Sequence, residues 1–240
     1  MGRTSLILAA GLMTVLITSA TIPSTDQVQG TGDVVKKTLN VDAFHAIELQ
    51  GSMDVIITRS AERSVVVEAQ ANIAELVTTN VKNGSWLIST SKNYSTNKPF
   101  IVHISVPEID GINSEGSGDV KCIGTFDATE ASVAIAGSGN VLMNYKAGSI
   151  NASIEGSGDL HLGGTCDRLK VSIAGSGDVN AADLVSRDLV VEIGGSGDVN
   201  ADANGDVRVS IAGSGDVLLA RAPTHIDKLI NGSGTLRIAH

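Results

Sequence analysis

Between residue 116 and the end of the chain, apolar and polar residues alternate in short runs that repeat in phase. Val207, Val209 and Ile211 share one parity, and Arg208, Ser210 and Ala212 the other. The same phase returns in Leu169-Lys170-Val171-Ser172-Ile173 and in Leu189-Val190-Val191-Glu192-Ile193. Alternation of this kind predicts half-buried strands. A second apolar pair follows each run a few residues later: Leu160 and Leu162, Val179 and Ala181, Val217 and Leu219. Each repeat therefore carries at least two strands, with a corner between them and a more variable turn on the other side.

The corner is the tetrapeptide Gly-Ser-Gly-Asp or a near copy. Its two glycines stand at Gly116 and Gly118, Gly137 and Gly139, Gly156 and Gly158, and Gly175 and Gly177. They recur at Gly195 and Gly197, Gly213 and Gly215, and Gly232 and Gly234. Successive first glycines are 21, 19, 19, 20, 18 and 19 residues apart. A period near twenty marks a solenoid in which one repeat is one coil, so the expected fold is all-β. A sharp bend between stacked strands demands either positive φ or close backbone approach, and glycine tolerates both. The Ser and Asp of the corner are expected to bond to nearby amides of their own turn.

Residues 33–115 are strand-rich but irregular. Phe44–Leu49, Met53–Thr58, Ser85–Ser89 and Phe100–Val106 read as strands, and Val65-Val66-Val67 as a buried run. Gly51-Ser52-Met53-Asp54-Val55 is a degenerate copy of the corner, so the repeat can begin before residue 116. Asn72–Val77, headed by an Asn cap, is expected to form a short helical turn, and Lys92–Lys98 a long loop.

Residues 1–20 read as a secretory signal, with Arg3 ahead of an apolar run from Leu6 to Ile17 and small residues at Thr18-Ser19-Ala20. The run is short for a membrane span. Residues 21–32 are expected to be a flexible lead-in, and 33–240 a single solenoid domain, irregular over 33–115 and regular over 116–240. An exported chain is expected in the periplasm, at the cell surface or in the medium.

Aromatic residues make up only 2% of the 240 residues. A compact globule normally relies on more, whereas a narrow solenoid interior fills with stacked Val, Ile, Leu and Ala. The net charge of -9, with no Lys/Arg cluster, argues against nucleic acid as a partner. Aligned on the tetrapeptides, Cys122 falls at the position of Leu162 and Cys166 at that of Phe126. They sit two coils apart, roughly 9–10 Å, which is too far for a relaxed disulfide. Both are expected to be packing residues.

The sharpest candidate for ligand chemistry is the row of corner acids. Asp159, Asp178, Asp198 and Asp216 are the calcium candidates, because stacked carboxylates repel and a cation could bridge them. The competing reading gives each Asp a capping role in its own turn, and the Gly-Gly-x-Gly-x-Asp pattern of calcium-loaded β-rolls is missing. No metal or cofactor is therefore assigned. Gly-Ser-Gly is not the Gly-x-Ser-x-Gly elbow, and seven equivalent nucleophiles make no mechanism. His45, His103, His161, His225 and His240 show no ligand spacing.

Repeated Gly-Ser-Gly-Asp-Val behind a signal peptide resembles the bacterial putative auto-transporter adhesin, head GIN domain family. Asp42–Ile47 leading into Gly51–Val55, and then Val102-His103-Ile104-Ser105-Val106-Pro107, extend the likeness over roughly residues 33–238. The resemblance implies a right-handed parallel β-helix and an envelope or extracellular location. It carries over no catalytic residue. The sequence holds no C-terminal barrel segment, so self-transport across an outer membrane is not expected.

Three classes of function follow. The first is a non-catalytic binding module presenting an extended solenoid face to a polysaccharide or a surface protein. The second is a structural or assembly protein of the envelope, with possible self-association through the C-terminal edge. The third is a polysaccharide-active enzyme. Such an enzyme needs clustered acids with basic residues and aromatic sugar platforms, and Phe126 and Tyr145 are the only aromatics after residue 115. That shortage ranks the enzyme last.

Overall fold

The protein is seen in a computed structural model that describes residues 27–239. The expected signal and the first part of the expected lead-in lie outside them. The chain winds into a parallel β-solenoid of about 7 turns, with paired residues about 19 positions apart. The alternating runs form strands on one side of the corner, as in Asp206–Ile211, and the second apolar pairs form strands on the other, as in Val217–Leu219. In the middle coils the second strand continues through the return segment into the next first strand, giving the long elements Val141–Ile154, Leu160–Ile173 and Val179–Ile193.

Pairing residue for residue stacks identical positions, so the core is a set of rows. Val120, Val141, Leu160, Val179, Val199 and Val217 form one row. Ile135, Ile154, Ile173, Ile193 and Ile211 form another. Ser114 takes a place in the second row, and its buried hydroxyl has no partner. Unequal repeat lengths are absorbed away from the corner. Register slips fall between His161 and Gly163, and between Ala181 and Val185.

The irregular half is regular in one unexpected respect: its coils are interleaved. Ala46–Leu49 and Asp54–Arg59 form a coil whose corner is the degenerate Gly51–Asp54. On one side this coil pairs in parallel with Gly111–Ser114 and Val120–Ile123, and on the other with Ser85–Ile88 and Ile101–Val106. The first coil in sequence is thus second in space. The outermost coil is covered by antiparallel strands. Val81–Lys82 pairs with Ser85–Ile88 through a tight turn at Asn83 and Gly84, both with positive φ. Ser64–Gln70 pairs with Ile101–Val106, and Val34–Leu39 pairs with Ser64–Gln70. Fully buried Trp86, packed on Phe44, anchors this end and donates its indole N–H to the Thr78 carbonyl at 3.0 Å.

Four sequence expectations change here. The helical turn spans Ala71–Ala74 with Gln70 at its N-cap. Asn72 instead accepts from the Thr31 amide and donates to the Gln29 carbonyl, which ties down the strand Val28–Gln29. That strand lies inside the expected lead-in and pairs with Tyr94–Ser95 inside the expected loop. Finally, Cys166 stacks on Ala147, not on the row of Phe126, which runs through Tyr145 to Gly164. The extra residues of the 21-residue interval lie between Val120 and Phe126, near Gly124 with its positive φ, so counting from the corner misplaces the return segment.

Candidate functional site

The corner is a ladder of backbone and carboxylate contacts. Its glycines are needed for close approach, not for φ. Apart from Gly51, whose φ is +134°, no corner glycine among the described residues has positive φ. A Cβ on Gly116 would lie 1.7 Å from the Gly51 carbonyl oxygen, and one on Gly177 would lie 2.1 Å from that of Gly158. Every later pair repeats this geometry, first glycine over first and second over second. The Cβ direction of each coil therefore points at the backbone of the coil before it. Gly118 lies over Met53, so the degenerate copy can hold a side chain there while the next coil cannot.

The serines contribute main chain. Ser138 donates its amide to the Gly116 carbonyl, and Ser157, Ser176, Ser196, Ser214 and Ser233 repeat the bond one coil further on. The hydroxyl bonding to the turn expected from sequence is replaced by this backbone ladder.

The acids bond between coils. The Oδ1 of Asp159 accepts the amide of Asp178 at 2.9 Å, Asp178 that of Asp198 at 2.7 Å, and Asp198 that of Asp216 at 2.7 Å. The series starts at Asp54, passes through Asp119 and Asn140, and ends at Thr235. Asn140 fits because the position requires an acceptor, not a charge. Its amide nitrogen also donates to Asp119 at 3.2 Å. The expectation that each Asp caps its own turn is corrected: each caps the following coil. Thr235 donates through both its amide and hydroxyl to Asp216, which holds that carboxyl below the usual carboxylate range. Among the described residues no group of three or more His, Cys, Asp or Glu side chains is placed to hold a metal ion. The acid row therefore has a structural use for one oxygen of each carboxylate.

Beside the row runs a groove of about 380 Å³. One wall is Asp159, Asp178, Asp198 and Asp216. Its lining also includes the outward residues two positions after each acid and after Thr235: His161, Asn180, Asn200, Leu218 and Arg237. Parallel register places these in line, coil after coil. Sequence reasoning found the acids but missed the groove. The signal was present in the outward residue two after each acid, and it needed the register to be read as a row.

Elsewhere the chemistry is quiet. Cys122 and Cys166 are both free and buried, and burial pushes each thiol up to about 11. Phe126 and Tyr145 are fully buried, so neither is available as a sugar platform. His45 contacts Asp110 at 2.8 Å, and His103 contacts Glu68 at 3.0 Å, as separate surface pairs.

These features define a class: a parallel β-solenoid with a glycine-packed, carboxylate-capped corner and a shallow groove along it. Residues 43–223 match the family described as "Putative auto-transporter adhesin, head GIN domain", and the chain belongs to that family. Solved structures share the fold at low identity. A putative adhesin from Bacteroides fragilis is similar with a TM-score of 0.82 and 22% identity, over 88% of this chain and 100% of that one. A putative lipid binding protein from Parabacteroides distasonis gives 0.73 and 22%, over 89% and 100%. A putative adhesin from Parabacteroides merdae gives 0.71 and 17%, over 90% and 100%. No curated protein matches the chain.

Proposed function

We propose that this protein is an exported, non-catalytic, adhesin-like binding module that holds a polysaccharide along the groove beside the acid ladder. The observation that carries this reading is the periodic lining of that groove. Asp178, Asp198 and Asp216, with Asn180 and Asn200, present matching polar groups at successive coils, about 4.8 Å apart. A polymer of hydroxylated units offers equivalent groups at regular intervals, and carboxylate and amide side chains are suited to bonding them. Leu218, 41% exposed, adds apolar ground for a sugar face. The family and two of the three solved relatives are named putative adhesins, and none is named an enzyme. A lipid, as in the name of one relative, would have to lie on the outside, because stacked aliphatic side chains fill the interior.

The test is retention of the mature chain on a panel of bacterial and host polysaccharides, with and without calcium, while polymer length is followed. Binding of intact polymer, abolished by Asn180→Lys with Asn200→Lys in a chain that melts normally, is the expected result. Polymer cleavage would overturn the non-catalytic reading. Retention unchanged by the two substitutions would move the site off the groove. Binding to none of the polymers would turn the search to envelope proteins and to the assembly role.

A further inference from the structure

The two ends of the solenoid are finished differently. One is covered by the antiparallel strands Val81–Lys82, Ser64–Gln70 and Val34–Leu39. At the other, the last coil among the described residues is His225–Ile230 with Leu236–Ile238, and its far edge has no strand partner there. An open edge framed by Ile226, Ile230, Leu236 and Ile238 is ordinarily a template for another strand.

Two residues of this coil break the pattern. Parallel register stacks Ile226 on Val207, Lys228 on Val209 and Ile230 on Ile211. Val209 continues the buried row of Val133, Ala152, Val171 and Val191. Lys228 therefore sets a charged side chain at an interior-row position, which stands exposed here because no coil covers this edge among the described residues. The second break is at the corner. Gly232 and Gly234 are retained, and a Cβ on either would strike the carbonyl oxygen of Gly213 or Gly215. These glycines serve the preceding coil. The acid position serves the following coil, because its carboxylate receives the next amide. That is the position that changes, to Thr235, whose hydroxyl is already turned to Asp216 at 2.9 Å.

We infer that the coil 225–238 is an end stop: it accepts the coil before it and refuses edge-to-edge pairing with a second copy of this chain. A copy laid on this edge would enclose the Lys228 ammonium. The inward neighbours on both of its strands, Ile226, Ile230, Leu236 and Ile238, are apolar and provide no counter-charge. A two-fold pairing would enclose two such cations in one interior. Burial of an unpaired charge is among the most unfavourable events in assembly. An inward charge on an edge strand is a recognised guard against it. This runs against the sequence expectation of self-association through the C-terminal edge. Arg237, on the second strand of the same coil, faces outward, in the groove, near Asp216.

The test compares the mature chain with the variant Lys228→Ile, Thr235→Asp by sedimentation velocity over a wide concentration range. Restoring both interior and corner should raise the self-association constant by at least about tenfold, since one unpaired buried charge is worth more than a decade. Lys121→Ile adds the same apolar surface on an outward position of an inner coil and should change nothing. Where the double variant does not fold as judged by circular dichroism and melting, Lys228→Met, close in volume and uncharged, carries the test. The inference is overturned if the folded variant associates no more than its parent, or if Lys121→Ile associates as strongly.

Discussion

Gly194 and Gly195 are neighbours with opposite duties. A Cβ on Gly194 meets only the Ile173 carbonyl oxygen, at an ordinary 3.7 Å, and the matching positions of other coils hold Ala174 and Ala212. A Cβ on Gly195 would lie 1.9 Å from the Gly175 carbonyl oxygen. The three nearest atoms are all Gly175 backbone, so no flexible side chain can give way. Gly195→Ala should cost about 3 kcal/mol, the upper end of overpacking. Gly194→Ala should be neutral or slightly stabilising, through the unfolded chain. Equal melting temperatures for the two variants would remove close approach as the reason for the corner glycines. The same logic explains why Asn140 passes unnoticed in a row of acids. The position needs an oxygen acceptor one coil away, and Asn and Asp both supply it.

Strands differ in how many neighbours secure them, and chain order does not rank them. Asp54–Arg59 comes early in the sequence but is paired on both edges, by Ile101–Val106 and Val120–Ile123. Among the described residues His225–Ile230 is paired on one edge only, with Leu229 60% exposed. Amide protection follows burial and pairing. In native-state hydrogen exchange the amides of Val55 and Ile57 should be among the slowest, and those of the last coil among the fastest. Early exchange over 54–59, in step with its place near the start of the chain, would contradict the interleaved order. Because 54–59 must wait for partners more than forty residues later, this end of the solenoid has high contact order and should form slowly.

Taken over the entire chain, the protein is acidic, with a net charge of -9 at pH 7. Several carboxylates are nonetheless held in favourable bonds. Hydrogen bonding to His103 lowers Glu68 from its ordinary value of 4.5. Hydrogen bonding to Arg187 lowers Asp188, and to Thr235 lowers Asp216, both from 3.8. A depressed folded value contributes stability above the unfolded pKa and loses it as pH falls through the folded one. The midpoint of thermal unfolding should therefore hold from neutral pH down to about 5, where repulsion among acids eases, and fall below about pH 4. Asp216→Asn should shallow that acid limb. A midpoint that stays level below pH 4 would show that the ladder acids do not depend on their charge.

Most of the architecture was legible along the chain. A period near twenty residues, with alternation in fixed phase, leaves few alternatives to stacked strands, because in-register stacking converts a sequence repeat directly into rows. The acid row and the glycine corner could be named from the same repeat. Their duties could not, since each glycine avoids, and each Asp bonds, a residue about one coil away. Those partners exist only once the register is set. The groove escaped for the same reason: Asn180, Asn200 and Leu218 look unrelated until stacking lines them up. Interleaving of 46–59 between later coils was invisible, because pairing partners up to 65 residues apart leave no local signal. The end stop lies between the two. Lys228 and Thr235 are plainly irregular in the repeat, but only the side each faces tells which neighbour they serve and which they turn away.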